Sequence, residues 1–473
     1  MEEQEMDTGP ACSSQLYLPP SPSKTFPSQR REHREWFRCL RDEEKNAILR
    51  DELELCGQAQ IHLLSSLLEP RLHEACPPNC QDPLAALPIN VAHRILAFLE
   101  PEDLCRVSRV CRRWRELGGL GSLWRRLCFL PYRFRRGSRR SERVQLAHFQ
   151  DDDGFTRWKE AFAERYRLWK NWTAARCVVR TFEGHTGGIS CVQLDKERIV
   201  SGSFDSTIRV WDMRTNSSLA TMTLTGHSDT VHALHLDYPA LASGSNDTTV
   251  KVWDVSVNPG WSSMACRVTM VGHTQKVRCL QMDPVKLVSG SYDRTLRVWD
   301  MRSGVCQRTL QGHEDAVLCL QFDETKLLSG SADNSIKLWD LREGWSCVMS
   351  MQNAHKDSVT CLQFDDARII SGSLDCSIKF WDIRTGRRLS TLDCTDGNRE
   401  GHAGVVRCLQ ADNVRLVSGA DDRNIQVWNV ETGRRMTTLR GHGDGVTCLR
   451  FDDTRILSGS YDRSVKLWDF GIV

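Results

Sequence analysis

The chain has 473 residues, 40% of them apolar and 26% charged, with a formal net charge of +2. That is enough for more than one domain and a full hydrophobic core. The acidic start, MEEQEMDTG, has no apolar stretch of the kind a secretory signal carries, and no run approaches the length of a membrane span. An intracellular chain, cytoplasmic and/or nuclear, is expected, with its twenty Cys kept reduced.

Residues 1–27 are rich in Ser, Pro and Gly and read as disordered. From 28 to 74 a helical block follows. Trp36, Phe37 and Leu40 cluster; Ile48, Leu49, Leu53 and Cys56 fit one helical face ended by Gly57; Ile61, Leu64, Leu67 and Leu68 fit another stopped by Pro70. Some forty residues are too few to bury a stable core alone, so self-association is expected. The block resembles the dimerisation segment found before the F-box in some F-box/WD-repeat proteins. The Cys76–Cys80 pair lacks C-x-x-C spacing and a second ligand pair, so no metal is expected there.

Residues 84–130 carry the second informative pattern. Pro88 suits the first turn of a helix whose apolar face is Val91, Ile95, Leu96 and Leu99. Pro101, Glu102 and Asp103 open a second helix, with Leu104, Val107, Cys111 and Trp114 at i, i+3, i+7 and i+10. Gly118, Gly119 and Gly121 break it, and Leu123, Trp124 and Leu127 follow on a third. Leu87-Pro88, Ile95-Leu96, Leu99, Asp103-Leu104, Val110-Cys111, Trp114 and Leu123-Trp124 stand where the F-box family places them, and Asn90 departs from its usual Glu. The resemblance implies a face for a Skp-type adaptor made by Leu87, Pro88, Ile95, Leu96, Leu99, Leu104, Val110, Cys111, Trp114 and Trp124. Gly119-Leu120-Gly121 is not a dinucleotide loop, since no strand precedes it and no third Gly follows.

Residues 131–175 read as a basic loop and a linker helix. Between Arg112 and Arg143 stand eleven Arg and two acids, which the small net charge hides. Such a run is usually a solvated loop, and nucleic-acid binding is not expected. Trp158, Phe162, Tyr166 and Trp169 form one stripe that must pack on something, which suggests a stiff connector.

From 176 to 473 one pattern recurs seven times. Each copy opens on a His (185, 227, 273, 313, 355, 402, 442) and closes on a Trp 26 residues later, while the Trp-to-Trp distance varies from 40 to 47. Insertions therefore fall between copies. Inside each copy, short apolar runs alternate with turn signals, as in Val277 to Met282, Leu287 to Ser291, Leu296 to Trp299 and then Gln307 to Leu310. Each has an Asp six residues before its Trp and a Ser four before that Asp, so His, Ser, Asp and indole can satisfy one another's hydrogen bonds where water is scarce. A catalytic Ser/His/Asp set would occur once, not seven times. Cys191, Cys279, Cys319, Cys361, Cys408 and Cys448 hold one repeat position and read as small buried hydrophobes. The repeat resembles the WD-repeat family, which implies a seven-bladed β-propeller. Arg176 to Phe182 is a spare strand placed to complete the last blade and close the ring without an open edge.

The expected fold is thus mainly β, a seven-bladed WD-repeat β-propeller preceded by an all-α region containing an F-box and a linker helix. Together the two resemblances imply the substrate receptor of an SCF-type ubiquitin ligase, with the F-box recruiting the Skp adaptor and through it the cullin and RING subunits. The propeller would hold a protein substrate. No catalytic residue, cofactor or metal is expected of such a receptor, and a scaffold working without ubiquitin transfer is the alternative. In propellers the residue before the turn Asp, and residues early in the first strand, reach the channel mouth. Here these give Phe204, Tyr292 and Tyr461 as aromatic anchors, His232 beside them, Lys276 and Arg278 to receive an acidic or phosphorylated group, and Arg407. Only two of the seven strand positions are Arg, so a dense phosphate pocket is not expected.

Overall fold

The computed structural model describes residues 26–72, 84, 87–129, 139–151, 153–215, 217–256, 265–342, 344–392 and 401–471. The expectations for residues 1–25, for Cys76 and Cys80, and for Arg133, Arg135 and Arg136 lie outside these. The chain divides into two compact units, 1–88 and 89–473.

In the first unit three helices follow one another: α1 (Phe26–Cys39), α2 (Asp42–Glu54) and α3 (Gln58–Leu72). Asp42, Glu43 and Glu44 favour the positive end of α2, and the Glu44 carboxylate accepts the Arg41 N–H at 2.9 Å. α3 runs two residues past Pro70, where a stop was expected; so close to the helix end the missing N–H costs one bond. No residue of α2 is buried, and Leu49, Leu53, Leu63 and Leu67 stand exposed.

The second unit begins with α4 (Ile89–Leu96), α5 (Pro101–Val107), α6 (Arg112–Gly118) and α7 (Gly121–Cys128). The single helix expected from Pro101 to Trp114 is two helices. Ser108 caps α5, its hydroxyl donating to the Leu104 carbonyl at 2.9 Å, and Cys111 is extended at φ −152°, its sulfur accepting the Trp114 N–H at 3.4 Å to open α6. A run of apolar residues at helical spacing cannot register such a break. Ala92 and Leu96 form the buried side of α4, with Leu104, Val107, Leu117, Leu123, Trp124 and Leu127 from the other three helices.

After α8 (Arg139–His148), α9 (Trp158–Thr173) spans from this bundle to the sheets. At one end Phe162 packs on Trp124 at 5.4 Å, and the buried Arg165 donates to the Cys128 carbonyl and the Gln145 side chain, both at 2.7 Å. At the other, Trp172 stacks on Phe470 at 4.1 Å, its indole N–H donates to the Asp453 carbonyl at 3.1 Å, and Asn171 donates to the Phe470 carbonyl at 2.7 Å. Of the stripe expected to be buried, Trp158, Tyr166 and Trp169 are only half-buried; Trp172, one turn further on, carries the deepest contact.

The remainder is seven four-stranded antiparallel sheets. β1 (Val178–Phe182) pairs with β28 (Val465–Asp469), Phe182 opposite Val465, and so completes the seventh sheet. The ring is closed by the strand that precedes it. The innermost strands are Ile189–Leu194, Val231–Asp237, Val277–Met282, Val317–Phe322, Val359–Phe364, Val406–Ala411 and Val446–Phe451. Each meets its neighbouring blade through β-branched and Leu side chains; Val288, Leu296 and Val298 of the third blade bury against Val317, Leu327 and Trp339 of the fourth. Gly290 is required by this approach. A Cβ there would lie 2.7 Å from the Cys279 sulfur and 2.8 Å from Val317 Cγ1.

Candidate functional site

The buried polar set of each blade is a lock. In the third blade Trp299 Nε1–H donates to Ser289 Oγ (2.8 Å), Ser289 Oγ meets His273 Nε2 (2.7 Å), and His273 Nδ1 meets Asp293 Oδ2 (2.7 Å). The chain is satisfied throughout when a neutral His273 carries its proton on Nδ1 and the serine hydroxyl donates to Nε2. Burial opposes ionisation of Asp293, but hydrogen bonds from His273 and Thr295 outweigh it and hold the carboxyl well below the usual range. The His–Asp and His–Ser contacts recur in all seven blades. The indole contact recurs in six; in the first, Trp211 Nε1 is buried with no partner among the described residues.

These locks fix the turns that bear the channel mouth. On every innermost strand the pairing register shifts at the second residue, as between Val277 and Cys279. Such a bulge re-aims one side chain, here Ser190, His232, Arg278, Leu318, Thr360, Arg407 and Thr447. Three of the seven turn back onto backbone instead of facing a ligand. Thr360 and Thr447 donate to Val406 and Ile189 carbonyls of the next blade at 2.5 Å, and Ser190 does likewise to Val231.

Phe204, Tyr292 and Tyr461 are 40%, 39% and 37% exposed. Phe204 stacks on Tyr461 at 5.8 Å and meets the His232 ring edge-on at 5.9 Å, so blades seven, one and two share an aromatic arc. Tyr292 belongs to blade three, its N–H donating to the carbonyl of the exposed Lys276 at 3.0 Å. Burial, with help from the Arg278 charge, pushes His232 down to about 4, so its ring is neutral. Arg407 stands apart from the others. Its guanidinium makes three bonds to Asp421, at 2.8 to 3.1 Å, and is neutralised there. Among the described residues Arg278 has no hydrogen bond or ion pair and is the unmatched cation of the bulge positions.

On the helical side, the residues assigned to the adaptor divide. Leu96, Leu104 and Trp124 are 1%, 1% and 2% exposed and hold the bundle together, so they cannot be presented to a partner. Leu87, Leu99 and Trp114 are half-buried; Pro88, Ile95, Val110 and Cys111 are exposed. Sequence reasoning missed Ile89 and Phe98, the latter 86% exposed. Val91 and Ile95 lie at i and i+4 on α4, and Phe98 follows in the turn after it; all three are exposed. The apolar run Ile95 to Leu99 held the signal, because five consecutive apolar residues cannot all face one core.

This arrangement, a closed ring of seven four-stranded blades with locked turns, defines a WD-repeat propeller. The "WD domain, G-beta repeat" model matches at 176–212, 219–254, 264–300, 304–340, 345–382, 393–429 and 433–469, and an F-box-like model matches at 84–130. The chain belongs to the WD-repeat family and is of the F-box/WD-repeat kind. A crystal structure of the WD40 propeller domain of Doa1 superposes with a TM-score of 0.54 at 26% identity, covering 61% of this chain and 95% of that one. Curated relatives include the "Probable E3 ubiquitin ligase complex SCF subunit sconB" of Arthroderma otae, 28% identical over 148 residues, covering 27% of this chain and 22% of that protein. The sconB of Emericella nidulans is 28% identical over 193 residues, covering 27% of this chain and 28% of that one. The chain thus spans under a third of the length of these relatives.

Proposed function

We propose that this chain is the substrate-recognition subunit of an SCF-type E3 ubiquitin ligase and is itself non-catalytic. The observation that carries this is α9. One helix is bonded at one end to the F-box-like bundle and at the other to the seventh blade, so an adaptor on the bundle and a substrate on the ring are held at a fixed separation. Fixed placement is what a receptor contributes, since it turns an encounter between ubiquitin-charged enzyme and target lysine into a near-unimolecular step. Val91, Ile95, Phe98 and Val110 form the apolar contact for the Skp-type adaptor, which brings the cullin and RING subunits. At the mouth, Phe204, His232 and Tyr461 take an apolar side chain of the substrate, and Arg278 with Lys276 takes an acidic or phosphorylated one. The exposed leucines of α2 and α3 are covered by a second copy of the chain.

Co-expression with the Skp-type adaptor, followed by size-exclusion chromatography with light scattering, tests this. Wild type should co-elute with adaptor at a mass of two plus two chains. Ile95→Asp and Phe98→Asp, both at exposed positions, should lose the adaptor and keep the fold. An intact chain that elutes without adaptor would sink the ligase reading, and a one-plus-one mass would sink the dimer alone.

A further inference from the structure

The central channel holds about 300 Å³ and is lined by three arginines, Arg278, Arg407 and Arg450, and by His235, but by no carboxylate. Arg407 is neutralised from outside by Asp421. Arg450 is not neutralised; among the described residues it has neither an ion pair nor a hydrogen bond. Leaving a guanidinium unpaired in a confined channel is costly.

The repeat shows what that position ordinarily does. Arg450 stands opposite Leu457, in the slot that Gln281 holds opposite Val288 in blade three. Five blades carry Gln in this slot, and each reaches the backbone of the next blade. Gln281 donates to the Phe322 carbonyl at 3.0 Å and accepts its N–H at 2.8 Å; Gln410 does the same with Phe451 at 3.0 and 2.8 Å. Gln193, Gln321 and Gln363 make one or both of these bonds. The two exceptions flank blade one: Arg450 in blade seven and His235 in blade two, whose Nδ1 is buried with no partner among the described residues. Both give up a blade-to-blade bracket, and both line the channel and the wider cavity beneath it. Five carboxylates line that lower opening: Asp412 and Asp453 are paired with Arg415 at 2.8 and 3.3 Å and Asp365 with Arg368 at 2.8 Å, while Asp452 accepts the Thr454 and Arg455 N–H groups at 2.7 and 2.8 Å and Asp195 the Lys196 N–H at 2.6 Å.

We infer that the floor of the channel is a binding site for a small free oxyanion of the phosphate class, seated on the Arg450 guanidinium beside the ring of His235. A planar guanidinium offers paired N–H groups to such an ion. The ion would tie blade seven to blade two across blade one, next to the seam where β1 closes the ring. Arg450 occupies the slot of Gln281, further along the innermost strand than Arg278, which serves the substrate at the mouth.

Calorimetric titration of the full chain with sodium phosphate, against sodium chloride of equal ionic strength, tests the proposal. Saturable one-to-one binding is expected. Arg450→Gln installs the residue five other blades carry, so it should stay folded and weaken binding at least tenfold; His235→Gln should weaken it at least threefold. Arg278→Gln is the comparison that reports on phosphate bound at the mouth. The absence of a saturable heat with wild type overturns the site, as does a folded Arg450→Gln variant with unchanged affinity. Binding lost in Arg278→Gln but kept in Arg450→Gln moves the ion to the mouth and overturns it equally.

Discussion

The lock in blade three and its incomplete counterpart in blade one make a matched pair of perturbations. Ser289→Ala removes a hydroxyl of a residue with no solvent exposure and strands two groups at once, the Trp299 indole N–H and His273 Nε2. Each stranded buried polar group costs about 1–3 kcal/mol, so the substitution should destabilise by roughly 2–6 kcal/mol. Ser201→Ala removes the equally buried counterpart, but only the contact with His185 Nε2 is lost, because Trp211 Nε1 has no partner to begin with. Its cost should be about 1–3 kcal/mol. A cooperative unit of this size loses roughly 2 °C of melting temperature per kcal/mol, so the two variants should differ by about 2–4 °C, with Ser289→Ala the lower. Thermal unfolding followed by tryptophan fluorescence measures this. Equal melting temperatures, or a lower one for Ser201→Ala, would refute the argument that the indole bond contributes to the lock.

Acid should destabilise the ring in two stages. His185, His355, His232 and His235 are held below an ordinary histidine's 6.5, mainly by burial, the last two at about 4; their contribution is full above 6.5 and is lost as pH falls towards 4. The lock aspartates titrate well below their usual 3.8, so their contribution is present above that value and is lost only at still lower pH. Melting temperatures at pH 7, 5.5 and 4 that do not fall would contradict the first stage. Burial pushes the thiols of Cys191, Cys279, Cys361 and Cys448 up to about 12, so at pH 8 a disulfide reagent should titrate the exposed Cys39, Cys105, Cys111 and Cys347 quickly and these four only after denaturation. Phe182→Ala empties a site that is 1% exposed beside Trp211 on the closing strand and should cost about 3–5 kcal/mol, or roughly 6–10 °C; a loss under 2 °C would show that β1 is dispensable.

The ring was legible because its constraint repeats. A fixed His-to-Trp distance with variable spacers can only mean a unit whose interior is rigid and whose connections are free, and the spare strand before the first His announced the closure. The helical region was less legible. Period alone cannot see that Cys111 turns extended, and it put Leu96, Leu104 and Trp124 among the docking residues because a bundle of short helices has two apolar surfaces, one inward and one outward. At the mouth, residue type decided less than geometry did. Sequence places Asp421 in the same blade as Arg407, but only the geometry shows the two bonded, and a threonine at a bulge looks available until its hydroxyl is found on a neighbouring carbonyl. The floor of the channel carries its own signal in one slot, five Gln with one Arg and one His.

Closure by β1 also sets a timetable. The Lys466 ammonium that bonds Thr181 at 3.0 Å lies 285 residues downstream of it. At a synthesis rate of about 5–20 residues per second, β1 leaves the ribosome roughly 15–60 s before its partner strand exists. Through that interval the F-box-like bundle can already be folded and bound, while the first six blades wait as an open arc with two raw sheet edges. Contacts so distant along the chain form slowly even once both strands are present. The helical bundle is therefore complete before the ring is, and the newborn chain spends that time as the kind of species that chaperones guard.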